Sequence, residues 1–118
     1  MKKVAVIVYH KNADKIYPET WVDQFRSTIL NQTYKDFLIL ENNYGGENFR
    51  IFDKGFFDIT KRQTFVHSMN SLLNLAFSSK FDYVFNTNID DFYALNRIER
   101  QLVYLKSGYD IVGSNFHL

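Results

Sequence analysis

Val4-Ala5-Val6-Ile7-Val8-Tyr9 is an unbroken apolar run, mostly β-branched, with Lys2-Lys3 before it and His10-Lys11-Asn12 after it. A strand wetted on one side alternates apolar and polar residues, whereas a strand covered on both sides does not. The run therefore predicts a central strand of a parallel sheet, and parallel pairing requires crossover segments that cover the sheet faces. Its charged-then-apolar order superficially resembles a secretion signal. It is too short for one, however, and leads straight into polar residues without a small-residue cleavage site.

The flanking segments supply the crossovers. Pro18 sits where a helix can begin, and Trp21, Phe25 and Ile29 at spacing four predict one apolar helical face ending near Asn31. Phe37 to Leu40 reads as a second strand that delivers Glu41 to its end, and Glu41-Asn42-Asn43-Tyr44-Gly45-Gly46 reads as turn or loop. Phe49 to Phe52 is a candidate short strand, and Asp53 to Lys61, without a clean period, reads as loop. Phe65, Met69, Leu72, Leu73 and Ala76 define a second amphipathic helix ending around Ser78 and Ser79. Tyr83 to Phe85 is a strand. Leu95, Ile98, Leu102 and Leu105 trace a third helical face closed by Gly108, and Tyr109 to Val112 is the last strand. This order predicts an α/β fold: a Rossmann-like, mostly parallel sheet with right-handed crossovers and helices on both faces, one domain over residues 1–118.

Composition narrows the function. With 118 residues, 46% of them hydrophobic and 18% aromatic, the chain can bury one core and is too short for two full domains. Its 14 basic and 13 acidic residues are mixed along the chain, which leaves no footprint for nucleic acid or an anionic membrane. There is no cysteine, so disulfides and thiolate metal sites are excluded and no oxidising compartment is required. No apolar stretch is long enough for a transmembrane segment, and the expected location is cytoplasmic.

Ligands of such sheets bind outside the carboxyl ends of the strands, which selects Tyr9 to Asn12, Glu41 to Gly46 and Asn86 to Asp91. In the last of these, Asp90 and Asp91 are adjacent carboxylates that need solvent, a cation or a helix N-terminus to compensate them. Magnesium or manganese, Mg2+ or Mn2+, would do so by taking one or two protein carboxylates and completing its shell with water and ligand phosphates. Capping of the helix just beyond is the plainer reading of the same pair. His10, His67 and His117 lack ligand spacing, although His10 stands at the ligand end of the first strand. Trp21, Phe25, Phe65 and Phe77 read as core, and Tyr9 and Tyr44 as candidates to pack against a base. Gly45-Gly46 reads as a plain turn, and Lys11 and Lys61-Arg62 as solvated.

Four stretches carry a resemblance to the family 2 glycosyltransferases, whose fold is of the GT-A type. Asn31-Gln32-Thr33-Tyr34-Lys35-Asp36-Phe37 is similar to the Gln-Thr-Tyr element that ends that family's first helix. Asn70 lies six residues before Ala76, as does the asparagine of the family's Arg-Asn-x-Gly-x-x-x-Ala helix. Tyr83-Val84-Phe85-Asn86-Thr87-Asn88-Ile89-Asp90-Asp91 resembles the strand ending in Asp-x-Asp-Asp. Arg97-Ile98-Glu99-Arg100-Gln101-Leu102 and Asp110-Ile111-Val112-Gly113-Ser114 resemble the family's helix and strand after that acidic motif.

The resemblance implies a GT-A-type nucleotide-binding half. Tyr9, His10, Asn12, Glu41 and Asn43 would lie around base and ribose, Asn70, Asn88 and Asp90 would also bind substrate, and Asp90 and Asp91 would hold the metal. The implied partner is a nucleotide-diphosphate sugar, UDP- or GDP-linked, with inverting transfer to an acceptor that the sequence does not name. Asn88, Glu41, Asn42, Met69 and Leu72 depart from the family pattern, and Asn88 brings no charge to a cation. The family's acceptor half and catalytic carboxylate come after the segment matching Ser114, so the catalytic base is not expected in this chain, and self-association through the face where that half would pack is expected. A non-catalytic nucleotide- or sugar-binding domain is the competing reading. A phosphoacceptor domain of flavodoxin-like shape would need its acidic pair where this chain has Tyr9-His10-Lys11.

Overall fold

The computed structural model describes residues 3–61, 64–91 and 93–108. The opening apolar run forms strand β1 (Val4–His10), every residue of which is buried. A short helix α1 (Ala13–Ile16) comes next, entered through Asn12 in the left-handed backbone region at φ 48°. Tyr17 is extended, as the residue before a proline prefers, and α2 (Glu19–Leu30) starts directly after Pro18. The strands β2 (Leu38–Asn43) and β3 (Phe56–Ile59), the helix α3 (Phe65–Ser78), the strand β4 (Tyr83–Asn86) and the helix α4 (Arg97–Lys106) complete the described order.

The four strands form one all-parallel sheet in the order β3-β2-β1-β4. Alternate residues of β1 feed two separate cores. Val4, Val6 and Val8 pack with Val22, Phe25 and Ile29 of α2 and Ile98 and Leu102 of α4, whereas Ala5, Ile7 and Tyr9 pack under Leu72 and Ala76 of α3. Helices thus cover both faces, as a Rossmann-like fold requires. Phe25 is wholly buried edge-on to Phe52, with ring centroids 5.9 Å apart. Burial of one such side chain contributes about 1.5–3 kcal/mol.

Polar staples hold the helices in register. The Gln32 Nε2 donates to the carbonyls of Thr28 and Ala94, both at 2.8 Å, and its Oε1 accepts from the Ile98 N–H at 3.1 Å. This one buried amide therefore ties the end of α2 to the entry of α4. The α3 N-terminus is capped by Thr64, whose hydroxyl accepts from the His67 N–H. Gly108, at φ 104°, succeeds α4 in the left-handed conformation expected of a helix-ending glycine.

The structure departs from the sequence reading at four places. Strand β2 runs on through Glu41, Asn42 and Asn43, where the sequence predicts a turn; their side chains are satisfied internally, so polar residues occupy a buried strand. The third strand lies at Phe56–Ile59, inside the segment that reads as loop, and Phe49 to Phe52 is not a strand. Val22, not Trp21, joins Phe25 and Ile29 on the buried face of α2; Trp21 is 47% exposed and packs beside Tyr17. On and beside the predicted helical faces, Phe65, Leu73, Phe77 and Leu95 are exposed, Phe77 by 86%, and are not core, and Leu95 precedes α4. The strand expected at Tyr109 to Val112, with His117 and Arg62, lies outside the described residues. Among the described residues no helix is long and apolar enough to cross a membrane.

Candidate functional site

Strand order locates the site. From β1 the chain moves outward to β2 and β3, and α3 then carries it back across the sheet to β4 on the other side of β1. The crevice at the carboxyl ends of β1 and β4 is where the direction of winding reverses, the position at which open α/β sheets bind ligands.

A cleft of about 270 Å³ opens there. Tyr9, His10 and Lys11 form its floor at the end of β1, with Ile16 and Tyr17 on the α1 side. Tyr44 and Phe65 stand opposite, and Asn88, Ile89 and Asp90 close the β4 side. Three phenols and a phenyl ring thus face a space the size of a base with its ribose, with a lysine and a carboxylate at its rim. The Tyr9 hydroxyl donates to Asn86 Oδ1 at 2.9 Å, which bridges the two strand ends across the switch point. Burial raises the pKa values of the Tyr9, Tyr17 and Tyr44 phenols, and the Asp90 carboxylate adds to the rise at Tyr17. These hydroxyls therefore keep their hydrogens at neutral pH; Tyr9 donates its own to Asn86, which leaves those of Tyr17 and Tyr44 as donors.

The acidic turn is held from below. The Thr87 hydroxyl donates to the Ile7 carbonyl at 2.7 Å, and the Asn88 N–H donates to the Tyr93 hydroxyl oxygen at 2.7 Å. Asn88 Nδ2 donates to Asp91 Oδ2 at 3.3 Å, and the Asp91 N–H returns to the Asn88 carbonyl. The Arg97 guanidinium lies 4.3 Å from the centroid of the Tyr93 ring and donates to the Asn86 carbonyl at 2.8 Å. Its burial lowers its pKa from the ordinary guanidinium value, against the opposing pull of Tyr93 and Asp91. Asp91 is thus partly buried and engaged, while Asp90 is exposed.

Of the residues expected to bind substrate, the cleft brings together Tyr9, His10, Asn88 and Asp90, with Asp91 beside them. Glu41 is not brought there. It is 0% exposed, with Oε1 accepting from the Phe52 N–H at 3.0 Å and Oε2 from the Ile51 N–H at 2.7 Å. Oε2 also lies 2.8 Å from His10 Nε2. Because His10 Nδ1 accepts from the Ala13 N–H at 3.1 Å, the hydrogen of the imidazole is on Nε2, directed at Glu41. Asn43 is spent in the same way: its Oδ1 accepts from the Asn12 and Gly45 N–H groups, and its Nδ2 donates to the Glu47 and Phe49 carbonyls. Asn12 supports this loop through Nδ2 to the Gly45 carbonyl, and its buried Oδ1 has no partner among the described residues. Asn70 lies elsewhere, in a shallow depression on α3 with His67, Ser71 and Asn74.

Tyr17 and Phe65 also line the cleft, and strand-end position selects neither of them. An aromatic residue directly before Pro18 is held extended, clear of the helix beyond it, and that signal is present in the sequence. Phe65 is the first residue of α3, and a crossover helix begins at the carboxyl edge of a parallel sheet.

Among the described residues no three His, Cys, Asp or Glu side chains converge as a metal cage. A cation held by Asp90 and Asp91 alone would have to draw its remaining ligands from water or from a bound phosphate. Comparison of the chain with known protein families, with curated proteins and with solved structures gives no match.

Proposed function

We propose that this chain is the nucleotide-sugar-binding domain of a glycosyltransferase of the family 2 kind, the donor half of an inverting enzyme. The observation that carries this reading is the exposed carboxylate of Asp90 at the rim of a tyrosine-lined cleft on the β1/β4 switch point. The aromatic walls suit a base and ribose, and the rim suits a diphosphate. Asp90, with Asp91, would hold Mg2+ or Mn2+, which when bound neutralises the charge of a diphosphate leaving group. Lys11 stands at the same rim. The sugar and the acceptor hydroxyl would lie beyond Asp90, outside the tyrosine cleft.

Calorimetry with UDP and GDP in the presence of manganese tests the reading. Heat of binding that requires the metal and is lost in Asp90→Ala is expected; absence of binding for every nucleotide overturns it.

A specific observation favours a second reading, binding without turnover. Among the described residues Asp90 is the one carboxylate lining the cleft, and both ring nitrogens of His10 are engaged, so no cleft-lining acid or imidazole is left over to take a proton from an acceptor. Incubation with a labelled UDP- or GDP-sugar tests it: neither transfer nor hydrolysis is expected, and release of either product overturns binding without turnover.

A further inference from the structure

The outer face of α3 differs from those of the other two long helices. Glu19 and Asp23 on α2, and Glu99, Arg100 and Lys106 on α4, are exposed charges. Helix α3 has no Asp, Glu, Lys or Arg in its 14 residues, although 23% of the chain is charged. Its outer face instead holds Val66, Leu73 and Phe77, exposed by 41%, 38% and 86%, with the exposed Asn70 between them. Exposed aliphatic and aromatic groups without charge are the composition of the centre of an interface, not of a wetted surface.

Spacing joins these four residues into one stripe. The steps from Val66 to Asn70 to Leu73 to Phe77 are four, three and four residues, the alternation by which one helix forms a seam with another. Ser68, Leu72 and Ala76 lie on a different side of α3, buried against the sheet, so a partner can take the stripe without disturbing the core. Asn70 stands where a lone amide fixes the register of paired helices.

The chemistry of the stripe selects its occupant. A partner of opposite charge finds nothing to read there, and an anionic membrane finds none of the basic side chains that hold a helix to it. An identical stripe is complementary: apolar meets apolar, and an amide, which both donates and accepts, meets its own copy. Val66, His67, Asn70, Leu73, Asn74 and Phe77 together expose about 500 Å², so a pair would bury about 1,000 Å², the lower end of specific interfaces.

We propose that two copies of this chain associate reversibly through α3, with Val66, Asn70, Leu73 and Phe77 as the seam and the two Asn70 amides bonded to each other. The pairing is independent of what the cleft holds. Its area sets the Kd at about 10–100 μM.

Sedimentation equilibrium of the 118-residue chain between about 5 and 500 μM tests it, and the mass should rise with concentration from 14.0 kDa to twice that value. Phe77→Lys places two like charges in the seam and should weaken the dimer by about thirtyfold or more. Because Phe77 is so exposed, urea unfolding of the dilute variant should match the parent. Val103→Lys, at an exposed apolar position on α4, should leave the dimer unchanged. Asn70→Leu should tighten it by about tenfold or more, an effect that loss of folding cannot imitate. A chain that stays monomeric throughout, a dimer that persists in Phe77→Lys, or one that Asn70→Leu loosens overturns the proposal. A monomer that instead floats with phosphatidylcholine vesicles, and ceases to in Phe77→Lys, assigns the face to a lipid surface and overturns it as well.

Discussion

Nε2 of His10 and Oε2 of Glu41 lie 2.8 Å apart, with both side chains fully excluded from solvent. The pair joins the ends of β1 and β2, and the same carboxylate holds the Ile51 and Phe52 N–H groups. Glu41→Ala leaves three buried donors without an acceptor, so a stability loss of about 3–5 kcal/mol is expected from urea unfolding. Glu41→Gln retains one acceptor oxygen and should cost less, about 1–3 kcal/mol. A Glu41→Gln protein of unchanged stability but weakened nucleotide binding would show that the carboxylate serves the ligand instead.

Gly55 has φ 92°, and a β-carbon built there would collide with the backbone carbonyl of Ile39. Neither the positive φ nor the carbonyl can relax without disturbing β2, so Gly55→Ala should lower stability by about 2–4 kcal/mol. Gly108 also has positive φ, at 104°, but faces open space. Gly108→Ala should therefore cost about 1–2 kcal/mol, and the ranking of the two melting temperatures checks the difference.

Burial raises the pKa values of four phenols, Tyr9, Tyr17, Tyr44 and Tyr93. The unfolded chain then loses these protons near pH 10, before the folded chain does. Stability from these groups is complete below about pH 10 and falls as pH rises through the folded values. Urea midpoints at about pH 8 and pH 10.5 should differ in that direction, and Tyr44→Phe should reduce the difference. An unfolding midpoint that rises over this window would contradict the placement of the tyrosines.

Arg97 combines stacking on Tyr93 with bonds to the Asn86 carbonyl and to Gln101. Lysine lacks the planar fork for this arrangement, so Arg97→Lys should destabilise by about 1–2 kcal/mol. Because Tyr93 accepts from the Asn88 N–H, the acidic turn should loosen as well. Faster amide exchange at Asn88 to Asp91 in the variant is the expected sign.

The two aspartates should separate under amide substitution. Asp90 is exposed on the cleft, whereas Asp91 accepts from Asn88 and stands in the field of Arg97. Asp90→Asn is expected to weaken manganese-dependent nucleotide binding about tenfold or more, and Asp91→Asn less. Manganese titrated alone should give little heat, since two carboxylates leave most of its octahedron to water. Equal losses in both variants would assign them a joint ligand role.

Legibility of the fold tracks how each element is buried. β1 is apolar on both faces, and the spacing of Leu72 with Ala76 and of Ile98 with Leu102 survives as the buried stripes of α3 and α4, while Phe65, Leu73 and Leu95 of the same predicted faces are exposed. Strand β2 is legible only as far as Leu40. Glu41 and Asn43 are buried against the loop over residues 44–52, and Asn42 against Asp58, Thr60 and Ser68, and sequence composition cannot distinguish such residues from a turn. Strand β3 lies at the sheet edge with its ends exposed, which erases the alternation that marks a strand. At the site, strand-end position identifies Tyr9, His10, Asn88 and Asp90. It misplaces Glu41, because proximity to a cleft does not say which way a carboxylate turns. Tyr17 depends on the local geometry of one proline, and Asn70 on a helical phase that the flanking Met69 and Leu72 do not fix.

The Gln32 amide reaches partners 62 and 66 positions along the chain, and Thr87 is fastened to β1 across 80. Contacts of that span close large loops, whose entropy must be lost before the contacts return any free energy. The turn with Asp90 and Asp91 lies between these two clamps. Its shape therefore depends on both clamps, each of which joins the turn to an element far away in the sequence.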